Sequence, residues 1–259
     1  MLTEEQAREA IIIALDMGRE EALALCDRLG GTARWVKVGM TLYYAYGPQV
    51  VQEMHDRGLK VFLDLKLHDI PFQIEGAAES ASRVGADILS IHGLGGSAMI
   101  AGARRGVEKV APERDERTKL VAISVLTSMD QAALEEIGVS LPVADEVARL
   151  AKMAVGAGSD GIVCSPKEAA DMRALLGPDA LIVTPGVRPA GAAVGDQKRV
   201  ATPAAAIQAG ASKLVIGRPI TRRRTLWRLS RPLWRSFARR LNAGARHVSE
   251  VCLVTSTHG

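Results

Sequence analysis

Asp64, Lys66 and Asp69 set two carboxylates around one ammonium, at the point where an apolar run, Val61-Phe62-Leu63, gives way to Pro71. The run has the composition of a fully buried strand, and proline suits the first turn of a helix. The three charges then stand at the mouth of a strand-to-helix turn. Residues two apart on an extended strand share a face, so Asp64 and Lys66 point the same way. Opposite charge nearby favours an ionised form, so a lysine between two carboxylates stays protonated. Such an ammonium donates a proton or clamps an anion. A solvated salt bridge would use the same residues, so the triplet takes its meaning from its surroundings.

Other side chains suit the same chemistry. Lys37 is the only charge in Trp35-Val36-Lys37-Val38-Gly39. An unpaired ammonium there is costly, so Lys37 needs a carboxylate, with Asp16 or Asp64 as the candidate. Gly217, Arg218, Arg188 and Gln197 suit a phosphate dianion. Glycine lets a backbone N–H come close, and a guanidinium binds bidentately. His68 and His92 have no second His or Cys at ligand spacing. They read as hydrogen-bonded structural residues, and no metal site is expected. Gly93 to Gly96 reads as a tight turn, and no GxGxxG fingerprint for a dinucleotide is present.

These residues need a frame, and the chain supplies a repeating one. Short apolar runs at 11–16, 35–39, 60–66, 87–92, 119–125, 161–164, 181–184 and 213–217 alternate with helical patterns. Helices are expected from Thr3, over 20–29, 48–57 and 71–84, from Ser97, in two pieces around Leu141-Pro142, from a cap at Ser165-Pro166, and from Pro203. Eight strand–helix units without a composition break predict a parallel sheet with helices outside. In 259 residues they fit a single α/β domain, a closed (β/α)8 barrel, better than an open sheet. In that fold chemistry sits at the carboxyl ends of the strands, with phosphate near strands seven and eight. Asp16, Asp64, Lys66, Thr127, Arg188 and Gly217-Arg218 all fall there.

Charge divides the chain in two. From Thr221 onward nine Arg face one Glu, a net of +8, while residues 1–220 carry 24 basic against 28 acidic residues, a net of −4. The overall +4 therefore gives no ground for the barrel to bind nucleic acid. We expect a catalytic barrel over 1–221 and an atypical basic segment over 222–259. Leu226, Leu229, Leu233, Phe237 and Leu241 offer that segment an apolar helical face interrupted near Pro232. Its Arg and Trp residues alternatively suit an anionic surface, and a changed reading frame near codon 221 is a third reading. Three cysteines form no CxxC pair; the acidic start lacks the order of a secretory signal, and no apolar run reaches the roughly 18 residues of a membrane span. A cytoplasmic protein without membrane or nucleic-acid partners is expected.

The motifs together resemble the orotidine 5′-phosphate decarboxylase family. They are Asp64-x-Lys66-x-x-Asp69-Ile70-Pro71, Ala14-Leu15-Asp16, Val36-Lys37-Val38-Gly39, Val125-Leu126-Thr127-Ser128, Thr184-Pro185-Gly186-Val187-Arg188, Gln197 and Ile216-Gly217-Arg218-Pro219-Ile220-Thr221. The resemblance implies conversion of orotidine 5′-monophosphate to uridine 5′-monophosphate and CO2 in pyrimidine synthesis, by a homodimer without metal or organic cofactor. It implies that Lys66 stabilises and protonates a C6 carbanion while Asp64 and Asp69 crowd the departing carboxylate. Asp16 and Lys37 would bind ribose hydroxyls, with Lys37 also tied to Asp64. Thr127 and Pro185 would lie at the substrate, Arg188, Arg218 and the Gly217 amide at the phosphate, and Gln197 between phosphate and base. Asp69 and Ile70 would reach into the neighbouring subunit's site. The family pattern has Asn-Thr after Pro71, where this chain has Phe72-Gln73.

Overall fold

Val-, Ile- and Leu-rich runs too short to span a helical core pair side by side instead, and here eight of them close on themselves. The computed structural model describes residues 4–187 and 201–221. In it, parallel strands β1 (Ile11–Ala14), β2 (Trp35–Gly39), β3 (Lys60–Leu67), β4 (Ile88–His92), β5 (Lys119–Ile123), β6 (Gly161–Val163), β7 (Leu181–Thr184) and β8 (Lys213–Ile216) form a closed barrel in sequence order. Helices fill the connections, so the fold is the single (β/α)8 barrel expected. The segment 222–259 lies outside the described residues, as does Thr3. No helix among the described residues is long and apolar enough to cross a membrane.

Alternation sorts each strand into two rows. The outward row, including Ile11, Ile13, Val36, Val38, Leu63 and Leu89, joins the large core beneath the helices. The inward row, including Ile12, Trp35, Phe62, Ile88, Val121 and Val215, forms a separate apolar plug. Both rows are buried, which is why the strands read as continuous apolar runs. At the amino end of the barrel, the Trp35 indole N–H donates to Glu9 at 3.0 Å, and Lys213 lies 4.2 Å from its ring centroid. Two residues further along the same inward rows come Lys37, Asp64 and Ser90. Strand parity alone therefore places the polar layer directly above the plug.

Two local expectations are corrected. The chain forms a helix over Met40–Tyr46 before the expected one, which spans Gln49–His55. Only Leu42 of that first helix is buried, so it carried little periodic signal. Gly47, at φ 73°, breaks the two apart. Ser165-Pro166 does not open the next helix, which spans Ala169–Leu176. The Glu168 carboxylate folds back to accept the Ser165 N–H at 2.8 Å and the Ser165 hydroxyl, holding these residues in a separate turn. The fifth connection does contain two helices, Gln131–Glu136 and Val143–Gly156.

Candidate active site

The site begins with an irregularity in β3. Leu63 pairs with Leu89 and Leu67 with Ile91, so β3 advances four residues while β4 advances two. The surplus is a bulge, a device that re-aims side chains near functional sites. Within it Lys66 has φ 51°, the only positive value for a non-glycine among the described residues. A left-handed lysine is strained by about 1–3 kcal/mol and persists only where its surroundings hold it. Asp64 and Lys66 do share a side, as expected, but the bulge rather than plain alternation directs the lysine.

Charge is arranged in a row. Lys37 Nζ is 3.0 Å from Asp16 Oδ1 and 3.5 Å from Asp64 Oδ2, and Lys66 Nζ is 2.9 Å from the same Asp64 oxygen. The expected carboxylate partners of Lys37 are thus both in place. Burial pushes the Asp64 carboxyl up, but Lys37 and Lys66, with hydrogen bonds from Lys66 and Ser90, outweigh it and hold Asp64 below the ordinary carboxylate range. Burial likewise pushes the Lys37 ammonium down, and Asp64 and Asp16 reverse this to hold it above the ordinary lysine value. Within one chain, then, the pattern is a carboxylate between two ammoniums rather than a lysine between two carboxylates. Asp69 is exposed, its Oδ1 accepts the N–H of Ile70 at 2.7 Å, and it forms no ion pair among the described residues.

A cavity of about 300 Å³ opens over this row at the carboxyl ends of the strands. Asp16, Lys37, Asp64 and Lys66 line one side. Thr127, Ser128, Pro185, Gly217 and Arg218 also line the cavity, with Phe62, Ile123, Val163 and Val215 as an apolar floor. Gly217 brings its backbone close to Asp16: a Cβ there would stand 3.6 Å from Asp16 Oδ2. Arg188 and Gln197 lie outside the described residues. Ile70 is 62% exposed and Phe72 81% exposed, and both lie outside the cavity wall.

His68 and His92 stack, with centroids 5.1 Å apart and planes at 17°. The Leu94 N–H donates to His92 Nδ1 at 3.4 Å, the hydrogen-bonded role expected for His92. Burial, then the neighbouring His68 and Lys66, hold its imidazole below the ordinary value. Sequence reasoning passed over Ser90, which is fully buried. It accepts the Lys66 N–H at 2.8 Å and donates to Asp64 Oδ1 at 2.9 Å. Its only sequence signal is being the sole hydroxyl in the apolar run Ile88-Leu89-Ser90-Ile91.

Comparison with known proteins gives this arrangement a lineage. The model of the family described as "Orotidine 5'-phosphate decarboxylase / HUMPS family" matches residues 9–225. The chain is 51% identical over 215 residues to the orotidine 5′-phosphate decarboxylase of Methylobacterium sp. (strain 4-46), covering 83% of this chain and 89% of that protein. It is 49% identical over 213 residues to that of Cutibacterium acnes, covering 82% and 89%. The crystal structure of orotidine 5′-phosphate decarboxylase from Lactobacillus acidophilus matches with a TM-score of 0.77 at 36% identity, covering 90% of this chain and 99% of that one. With the barrel, the matched residues and this degree of identity in agreement, the chain belongs to the orotidine 5′-phosphate decarboxylase / HUMPS family.

Proposed function

We propose that this chain is a carboxy-lyase that converts orotidine 5′-monophosphate to uridine 5′-monophosphate and CO2 in pyrimidine biosynthesis. The observation that carries the reading is the Lys37–Asp64–Lys66 row, set above an apolar floor in a cavity that ends at Gly217 and Arg218. The C6–carboxylate bond breaks, CO2 leaves, and the electron pair stays on C6. The Lys66 ammonium stabilises that pair and then gives it a proton, leaving a neutral amine that solvent reprotonates. Groups already fixed in place need no reorganisation as charge develops, which is where electrostatic stabilisation is largest.

The other roles are those the family resemblance implies, and the cavity lining supports the ones that fall on described residues. Asp64 stands against the substrate carboxylate and orients both lysines. Asp16 and Lys37 hold ribose hydroxyls, Thr127 and Pro185 border the pyrimidine, and Gly217 and Arg218 hold the phosphate, with Arg188 and Gln197 completing that end. Phosphate binding far from C6 then supplies energy for closing the site and raising turnover. The working unit is a homodimer of barrels comprising residues 1–221, without metal or organic cofactor. The exposed Asp69 and Ile70 of one protomer enter its partner's cavity. Cys26 and Cys164 are buried and form no disulfide among the described residues, which suits a reducing cytoplasm.

The test is loss of orotidine 5′-monophosphate absorbance with purified protein in EDTA, wild type beside Lys66→Ala. Turnover by the wild type, reduced at least about 10³-fold in Lys66→Ala, is expected. Indifference to this substrate, with chelator-sensitive action on a sugar phosphate, would replace the reading with a metal-dependent decarboxylase on the same barrel.

A further inference from the structure

We infer that Ser90 is a positioning residue for the reaction, fixing both the backbone of Lys66 and the rotation of the Asp64 carboxylate. The inference rests on the function proposed above. In β3 the Lys60 N–H donates to the Arg34 carbonyl on the β2 side and the Val61 carbonyl accepts the Asp87 N–H on the β4 side, so regular alternation would face the Lys66 N–H toward β2. The register shift between Leu63 and Leu67 breaks that alternation, and the Lys66 N–H instead donates to the Ser90 hydroxyl of β4 at 2.8 Å. The same hydroxyl has one proton to give, and it goes to Asp64 Oδ1 at 2.9 Å. Asp64 Oδ2 is left for the two ammoniums, at 2.9 and 3.5 Å.

One hydroxyl thereby ties together the two anomalies of the site. A left-handed lysine needs a neighbour that holds it there, and Ser90 contacts the very N–H whose direction that conformation sets. A carboxylate between two ammoniums can turn to favour either, and a fixed Oδ1 stops it turning. Ser90 is 0% exposed and lies behind the cavity wall, so it acts through Asp64 and Lys66 and not on the substrate. An aliphatic residue would fill the strand equally well but serve neither neighbour.

Displacing a reacting group by about 1 Å costs up to about 10²-fold in rate. Ser90→Ala should therefore lower kcat about 10- to 100-fold while KM for orotidine 5′-monophosphate stays within about threefold. Ser90→Thr, which keeps the hydroxyl, should recover most of the loss. Ser90→Cys holds the volume with a weaker donor and should fall between them, keeping the comparison open should Ser90→Ala fail to fold. Equal kcat in the threonine and cysteine variants, or a rise in KM that accounts for the whole loss, overturns the assignment. An active wild type with unaffected Ser90 variants rejects Ser90 alone. A wild type inert toward orotidine 5′-monophosphate rejects the proposed function, and this inference with it.

Discussion

At the scale of single residues, the site is a problem in burying charge. Lys37 and Asp64 are 12% and 11% exposed at their side chains and pair with each other, Lys37 also with Asp16 and Asp64 also with Lys66. Removing one member of a buried pair costs about 3–5 kcal/mol, since the survivor keeps its desolvation penalty. Lys37→Met should therefore lower the urea-unfolding free energy by about 3 kcal/mol as well as abolish activity, and an unchanged midpoint would deny the pairing. The pH dependence has a definite sign. Asp64 titrates below its ordinary value in the folded protein. Its contribution is present above about pH 4, the value in an unfolded chain, and fades as pH falls through the folded value. Lys37 titrates above its ordinary value, so its contribution is present below about pH 10 and fades as pH rises through the folded value. The stability gap between wild type and Lys37→Met should be flat across neutral pH and narrow at both extremes.

At the scale of elements, the loop bearing Asp69 and Ile70 is held by close packing of two helices, Pro71–Arg83 and Gly96–Val110. Gly102 and Gly106 let their backbones touch. A methyl at Gly102 would stand 2.7 Å from the Pro71 carbonyl oxygen, and one at Gly106 would meet the carbonyl of Glu75. Arg105 and Lys109 then pair with Glu75 across the contact. Overpacking of this kind costs about 1–3 kcal/mol. For a chain of this size Gly106→Ala should lower Tm by about 5 °C, with a smaller fall for Gly102→Ala, as differential scanning calorimetry would record. Element positions were largely legible from apolar runs and their turn residues, because strands buried on both faces leave an unbroken signal. The helix Met40–Tyr46 was not, since it buries one residue. The bulge at Lys66 was not either. Nothing in a lysine announces a left-handed backbone, and the hydroxyl that supports it comes from a different strand.

At the scale of the whole molecule, strand parity turns a barrel into a site. The rows that place Trp35 and Phe62 in the plug place Lys37 and Asp64 above it, so the charges were legible as soon as eight strands were counted. Their partners were only half legible: Lys37 has both carboxylates foreseen for it, while Asp69 accepts the Ile70 N–H and forms no ion pair with Lys66 among the described residues. That exposed Asp69, beside Ile70 and Phe72 at 62% and 81% exposure, supports the homodimer in the proposed function. Ile70→Glu with Phe72→Glu should yield a folded monomer in sedimentation, with turnover lost. A fully active monomer would remove Asp69 from the mechanism.

The account depends above all on where Lys66 points when substrate fills the cavity. A crystal structure with a uridine 5′-monophosphate analogue should place Lys66 Nζ within about 3.5 Å of ring carbon six, the reach of a reacting pair, with the phosphate at Gly217 and Arg218. A pyrimidine seated with carbon six beyond the reach of Lys66 would contradict it.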